Sequence, residues 1–150
     1  MTVRTWTRCG MAGLGLMLAQ TAVAAPDTAK AGQFVNCVAI AEDQKQRDPD
    51  PQMKQHWTEL SEIYAANAFF FSQDVNYLLS RIRKSFQTLD NMRAYLPAQS
   101  VNNTVLATLK QCDALAEGHP ERLEPYLNAM DAYIKEQEAK EAPSASTIQP

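Results

Sequence analysis

From residue 29 onward, apolar side chains return at every third or fourth position, and strand-like alternation of Val, Ile and Thr is absent. A repeat near 3.6 residues belongs to α-helices that bury one face. The first such segment runs from about Ala29 to Arg47, with Phe34, Cys37, Val38 and Ala41 as its stripe. Asp27 or Thr28 can cap its start. Asp48-Pro49-Asp50-Pro51 ends it, because proline cannot continue the hydrogen-bond ladder and also restricts the residue before it. The same tetrapeptide opens the next segment, with Asp50 as N-cap and Pro51 at the first helical position.

The second segment has no obvious stop before Leu96-Pro97. At about 100° per residue, Met53, Trp57, Leu60, Tyr64, Ala68, Phe71, Val75, Leu78, Ile82, Phe86 and Leu89 stay in phase. That favours one continuous helix, roughly 60 Å long at about 1.5 Å per residue. The one polar patch able to host a break is Ser72-Gln73-Asp74. A third helix is expected from about Ser100, acting as cap, to Glu117, with Val101, Val105, Thr108, Leu109, Cys112, Leu115 and Ala116 on its stripe. Gly118 suits the left-handed position after a helix end, and Pro120 is a stop. A fourth begins between Pro120 and Pro125 and runs to about Lys140, with Leu123, Leu127, Met130, Tyr133 and Ile134 inward. The expected fold is therefore an all-α bundle of four helices, or five should the long segment break. Residues 142–150 are small, polar and proline-flanked, the composition of a disordered tail.

Cys37 and Cys112 both fall on inner stripes. Their pairing would clamp the first helix to the third, and the spacing contains no Cys-x-x-Cys redox motif. The N-terminal residues imply the compartment for such a bond. Arg4 and Arg8 precede the short apolar run of residues 9–18, and Ala22-Val23-Ala24 follows. This is the layout of a cleaved export signal, with the cut expected after Ala24 and Cys9 lost with it. Domains are thus expected as a signal at 1–24, a helical domain at 25–141 and a tail at 142–150, in a periplasmic or secreted protein. Removing residues 1–24 takes two arginines and no acids, so 12 Lys and Arg would face 17 Asp and Glu, moving the net charge from −3 to −5. An acidic surplus argues against nucleic-acid binding and against docking on anionic lipid. No second long apolar run follows the signal, so membrane insertion of the mature chain is not expected.

Phe69, Phe70 and Phe71 stand side by side, and one helix face cannot hide all three. On the wheel, Phe71 lies at the centre of the stripe, Phe70 on a flanking strip with Ile63, Ala66 and Tyr77, and Phe69 about 160° away. Phe71 and Phe70 are expected to be buried, which leaves Phe69 covered by a neighbouring loop or the N-terminal segment, exposed as a lone ring, or serving as a candidate interface anchor. Arg81, Arg83 and Lys84 form a basic turn, and Arg81 and Lys84 are candidate contacts for an anionic partner.

Catalytic chemistry is thinly represented. His56 has Glu59 on the same side, half of a metal pattern whose second half is missing. His119 lies in a turn between Gly118 and Pro120, where it can bond the preceding helix end. Met92 and Met130 read as core filler rather than axial ligands. No catalytic residue, cofactor or metal is expected. The leading expectation is a non-catalytic protein of adaptor, inhibitor or immunity type that binds a protein partner or a second copy of itself. The alternative is a bundle in which Trp57, Tyr64, Phe70, Phe71, Tyr77 and Phe86 line a pocket for an apolar or aromatic ligand. A metal or cofactor enzyme is a distant third.

Overall fold

A computed structural model describes residues 26–116 and 119–141. The expected signal at 1–24, the tail at 142–150 and the glycine closure at Gly118 lie outside the described residues. Five α-helices and no strands are present among those described: α1 (Thr28–Arg47), α2 (Pro51–Ser72), α3 (Val75–Tyr95), α4 (Ala98–Ala116) and α5 (Leu123–Glu141). A short 3₁₀ turn, Pro120–Arg122, precedes α5.

The aspartates set three of the helix starts. Asp27, Asp50 and Asp74 each accept a hydrogen bond from a backbone amide of the first turn, at Lys30, Gln52 and Tyr77 respectively. This satisfies amides that a helix start leaves unpaired. The third of these caps overturns the single long helix. Gln73 takes a left-handed conformation with φ 55°, ending α2, and Asp74 starts α3 at once. A two-residue link leaves the apolar phase nearly intact, so the periodicity conceals the reversal. The expected cap at Ser100 is also corrected. The carbonyl of Pro97 receives the amides of Ser100 and Val101, so α4 already begins at Ala98.

α1 is the centre of the bundle, packed against α2, α3 and α4. α2 returns antiparallel to it. The Asp27 amide donates to the Phe71 carbonyl at 2.8 Å at one end, and the Trp57 indole donates to Asp48 at 3.3 Å at the other. α3 runs alongside α1 in the same direction, with Tyr77 Oη donating to the Thr28 carbonyl and Ser85 Oγ to Asn36 Oδ1. Asp43 is buried near the far end of α1, where Arg93 of α3 grips both carboxylate oxygens and Arg47 approaches at 3.0 Å. That pairing offsets the cost of taking a carboxylate out of water.

On the third side, Cys37 and Cys112 are joined as a disulfide with their Cα atoms 5.7 Å apart, as the inner-stripe positions implied. Tyr64 Oη donates to Asp113 Oδ1 at 3.0 Å and ties α2 to the same part of α4. The core therefore gathers Phe34, Val35, Val38 and Ala41 of α1, Tyr64 and Ala68 of α2, and Leu78 of α3 around the disulfide. Ala31, Ala39 and Ala41 let backbones approach α1 closely and are all buried. α5 packs mainly on α2 and buries no residue fully; of its expected inward stripe Leu123, Met130 and Tyr133 are half-buried, but Leu127 and Ile134 are corrected, at 48% and 49% exposed.

Candidate functional site

The three phenylalanines end α2, and their environments differ from the wheel. Phe71 stacks on Phe34 of α1, with ring centres 5.9 Å apart and planes 12° apart, and is partly buried. Phe69 is not left over. It packs against the core and meets Tyr126 of α5 at 6.2 Å, because α5 crosses the side of α2 that the wheel had assigned to solvent. Phe70 is the ring with most solvent, at 41% exposure, and meets Phe71 edge-on at 5.2 Å. Its expected burial is thus corrected: among the described residues the side chain over that flank is Arg122.

Arg122 comes from the 3₁₀ turn. Its guanidinium carbon lies 3.9 Å from the Phe70 ring centre and 5.3 Å from that of Phe71. Nη1 donates to Asn67 Oδ1 at 2.5 Å, and Asn67, fully buried, donates in turn to the Ile63 carbonyl. Nε is buried with no acceptor among the described residues. Desolvation against the rings lowers the guanidinium pKa from its ordinary value. The neutral amide partner and the ring faces position the cation without neutralising it.

Lys30, in the first turn of α1, places its ammonium 5.3 Å from the Phe71 ring centre. His119 precedes the 3₁₀ turn, and its Nδ1 lies 2.9 Å from Glu121 Oε1. That hydrogen bond holds the Glu121 carboxyl below the usual carboxylate range. His119 thus bonds the turn that follows it, and the preceding helix end lies outside the described residues. Tyr126 is pushed up by burial, with Glu62 and Glu42 adding to the effect.

Two clefts flank Arg122. One, of about 410 Å³, lies among Lys30, Phe34, Phe71, Leu115, His119 and Arg122. The other, of about 230 Å³, lies beside Phe69, Phe70, Glu121 and Pro125. A separate groove of about 200 Å³ opens where α3 and α4 splay over α1. Ile40, Leu89, Met92 and Val105 line its apolar part, and Ser85, Thr88, Thr104 and Thr108 its polar part.

The six aromatic residues expected to share a pocket are dispersed. Trp57 bonds Asp48, Tyr64 bonds Asp113 and Tyr77 bonds Thr28. Phe70 and Phe71 belong to the two different clefts, and Phe86 is half-buried on α3. Arg81 and Lys84 are exposed on α3, with an Arg81 nitrogen 3.8 Å from where a Cβ on Gly32 would stand. His56 is exposed beside Trp57, and Glu59 accepts from Gln55 instead. Among the described residues, no group of three or more His, Cys, Asp or Glu could hold a metal ion. Lys30, His119 and Arg122 were not legible as a set, since they are brought together only when the turn before α5 folds back onto the end of α2. No family model, curated protein or solved structure matches the chain.

Proposed function

We propose that this is an exported, non-catalytic protein that binds a protein partner through surface complementarity, with the bare side of α5 as the central contact. The observation carrying this reading is the state of α5. It is a 19-residue helix with no buried residue, and Leu127 and Ile134 stand half-exposed two turns apart on one face. A helix held along one edge leaves an apolar strip that a second surface can cover, and helix faces of this kind serve as recognition elements. Ion pairs Lys135–Asp131 and Lys140–Glu136 keep the rest of the helix polar.

His56 stands against an indole and His119 is paired with a carboxylate. Export is supported by the N-terminal layout and the Cys37–Cys112 bond, which suits an oxidising compartment. Among the described residues no helix is long and apolar enough to cross a membrane.

The test is site-directed photocrosslinking of the full chain in its native cells, with a photoreactive phenylalanine at 127 or 134 and a control at the exposed Glu59. A discrete adduct from the two α5 positions, absent from the control, is expected. An adduct twice the mass of the chain would make a second copy the partner. No adduct from either α5 position would overturn the reading. N-terminal sequencing of exported protein is expected to begin at Ala25.

A further inference from the structure

We infer that the cleft over Phe71 binds a small amphiphilic carboxylate, an acid with one anionic end and an apolar body. This goes beyond a protein-binding role and is independent of the α5 face. The lining divides evenly: Phe34, Phe71 and Leu115 supply apolar surface, and Lys30, His119 and Arg122 supply basic nitrogen. Three basic groups meet here in a chain whose overall charge is −3.

The charge at the cleft is only partly compensated. Arg122 gives Nη1 to a neutral amide, and its Nε has no acceptor among the described residues. Lys30 has Asp27 only at 4.0 Å, with both side chains well exposed, a geometry that contributes little. Glu121 pairs with His119, which borders both clefts, and its charge also acts on Arg122, so Lys30 is the cation of this cleft with the weakest local compensation.

Both halves of the ligand follow from this lining. An inorganic anion would pair with the cations and leave Phe34, Phe71 and Leu115 wet. A neutral apolar molecule would cover the rings and desolvate two cations without an acceptor, which is unfavourable. An acid with an apolar body satisfies both. Its carboxylate can take charge-assisted hydrogen bonds from Lys30 and Arg122 while its body lies on Phe71. Arg122 is already fixed by Asn67 and the rings, so ordering the site on binding costs little there. A volume of about 410 Å³ suits a ligand of this size.

The experiment is an NMR titration of the disulfide-intact protein at neutral pH and low salt. The probes are octanoate, 3-phenylpropionate, 1-octanol and acetate. Saturable shifts at Phe34, Phe71 and Leu115 are expected with the two larger acids, which also separates an alkyl from an aryl ligand by affinity. Octanol and acetate are expected to bind roughly tenfold or more weaker. Lys30→Gln, at an exposed position that leaves packing intact, should weaken octanoate about fivefold and leave octanol unchanged. Arg122→Gln should weaken it further; if circular dichroism shows that this variant unfolds, Arg122→Lys with Lys30→Gln decides instead. The inference is overturned if octanol binds as tightly as octanoate, if Lys30→Gln has no effect on octanoate, or if the shifts fall on Leu89 and Val105 of the α3–α4 groove.

Discussion

α1 and α5 are nearly equal in length, 20 and 19 residues, and both carry apolar residues at helical spacing, yet one is enclosed and the other is half-bare. The difference is in the number of neighbours. α1 has α2, α3 and α4 around it, and even Asp43 is only 6% exposed. α5 leans chiefly on α2, and its charges pair along its own surface. Small residues contribute: Ala31, Ala39 and Ala41 let partners close in on α1, while no described residue fills the space beyond the large Leu127 and Ile134. An apolar stripe shows that a helix has a face to bury, not how much of it the fold will cover. Where the cover is incomplete, the fold leaves surface available for binding.

That contrast can be broken most severely at the disulfide. Replacing Cys37 and Cys112 together by alanine should cost up to about 4–5 kcal/mol by urea unfolding, because the bond closes a loop with a sequence separation of 75. A loss under about 1 kcal/mol would mean that α1 is held without this clamp. Phe34→Ala comes next. It removes a buried ring stacked on Phe71 and should cost about 3–5 kcal/mol in the same assay.

Asp43→Asn keeps the shape of the α1–α3 junction but leaves Arg93 without its counter-charge. About 2 kcal/mol is expected, less than for a wholly buried pair because Arg93 retains some solvent. A value near zero would show that shape rather than charge holds α3 to α1.

A smaller effect should appear with pH. Burial and the Asp113 hydrogen bond push the Tyr64 phenol up, and burial pushes Tyr126 up. Below about pH 10, the ordinary tyrosine value, folded and unfolded chains hold the same phenol protons, so these groups add no slope. Above it the unfolded chain releases them first and stability falls as pH rises. Tyr64→Phe should flatten that decline, and an unchanged slope would remove Tyr64 from the account.

The smallest change is expected on α5. Leu127→Ala should cost less than about 1 kcal/mol, since half the side chain is already in water. A loss as large as that of Phe34→Ala would erase the contrast between the two helices and, with it, the basis for reading α5 as a binding face.

Particular residues show how far the chain could be read in advance. Cys37 and Cys112 were legible as a pair because each sits on the stripe of its own helix. Asp50-Pro51 was legible because capping is a matter of adjacent residues. The turn at Gln73-Asp74 was not, since two residues reverse the chain while barely disturbing the repeat. Phe70 was misjudged as buried and the position of Phe69 stayed open because a helical wheel ranks faces against its own stripe, and the cover on Phe69 comes from Tyr126, more than fifty residues later. Arg122 carried no local signal at all. It matters only through Phe70, Phe71 and Asn67, which belong to another helix.

By itself, then, the order of residues determined the helical class, most helix ends and the cysteine partners, since period, capping and proline placement act over a few neighbouring positions. Only the tertiary structure decided that α1 would be central, that α5 would remain half-bare, and that Lys30, His119 and Arg122 would surround one phenylalanine ring. Those outcomes depend on which surfaces meet across the chain, and no local pattern records the neighbours a side chain will acquire.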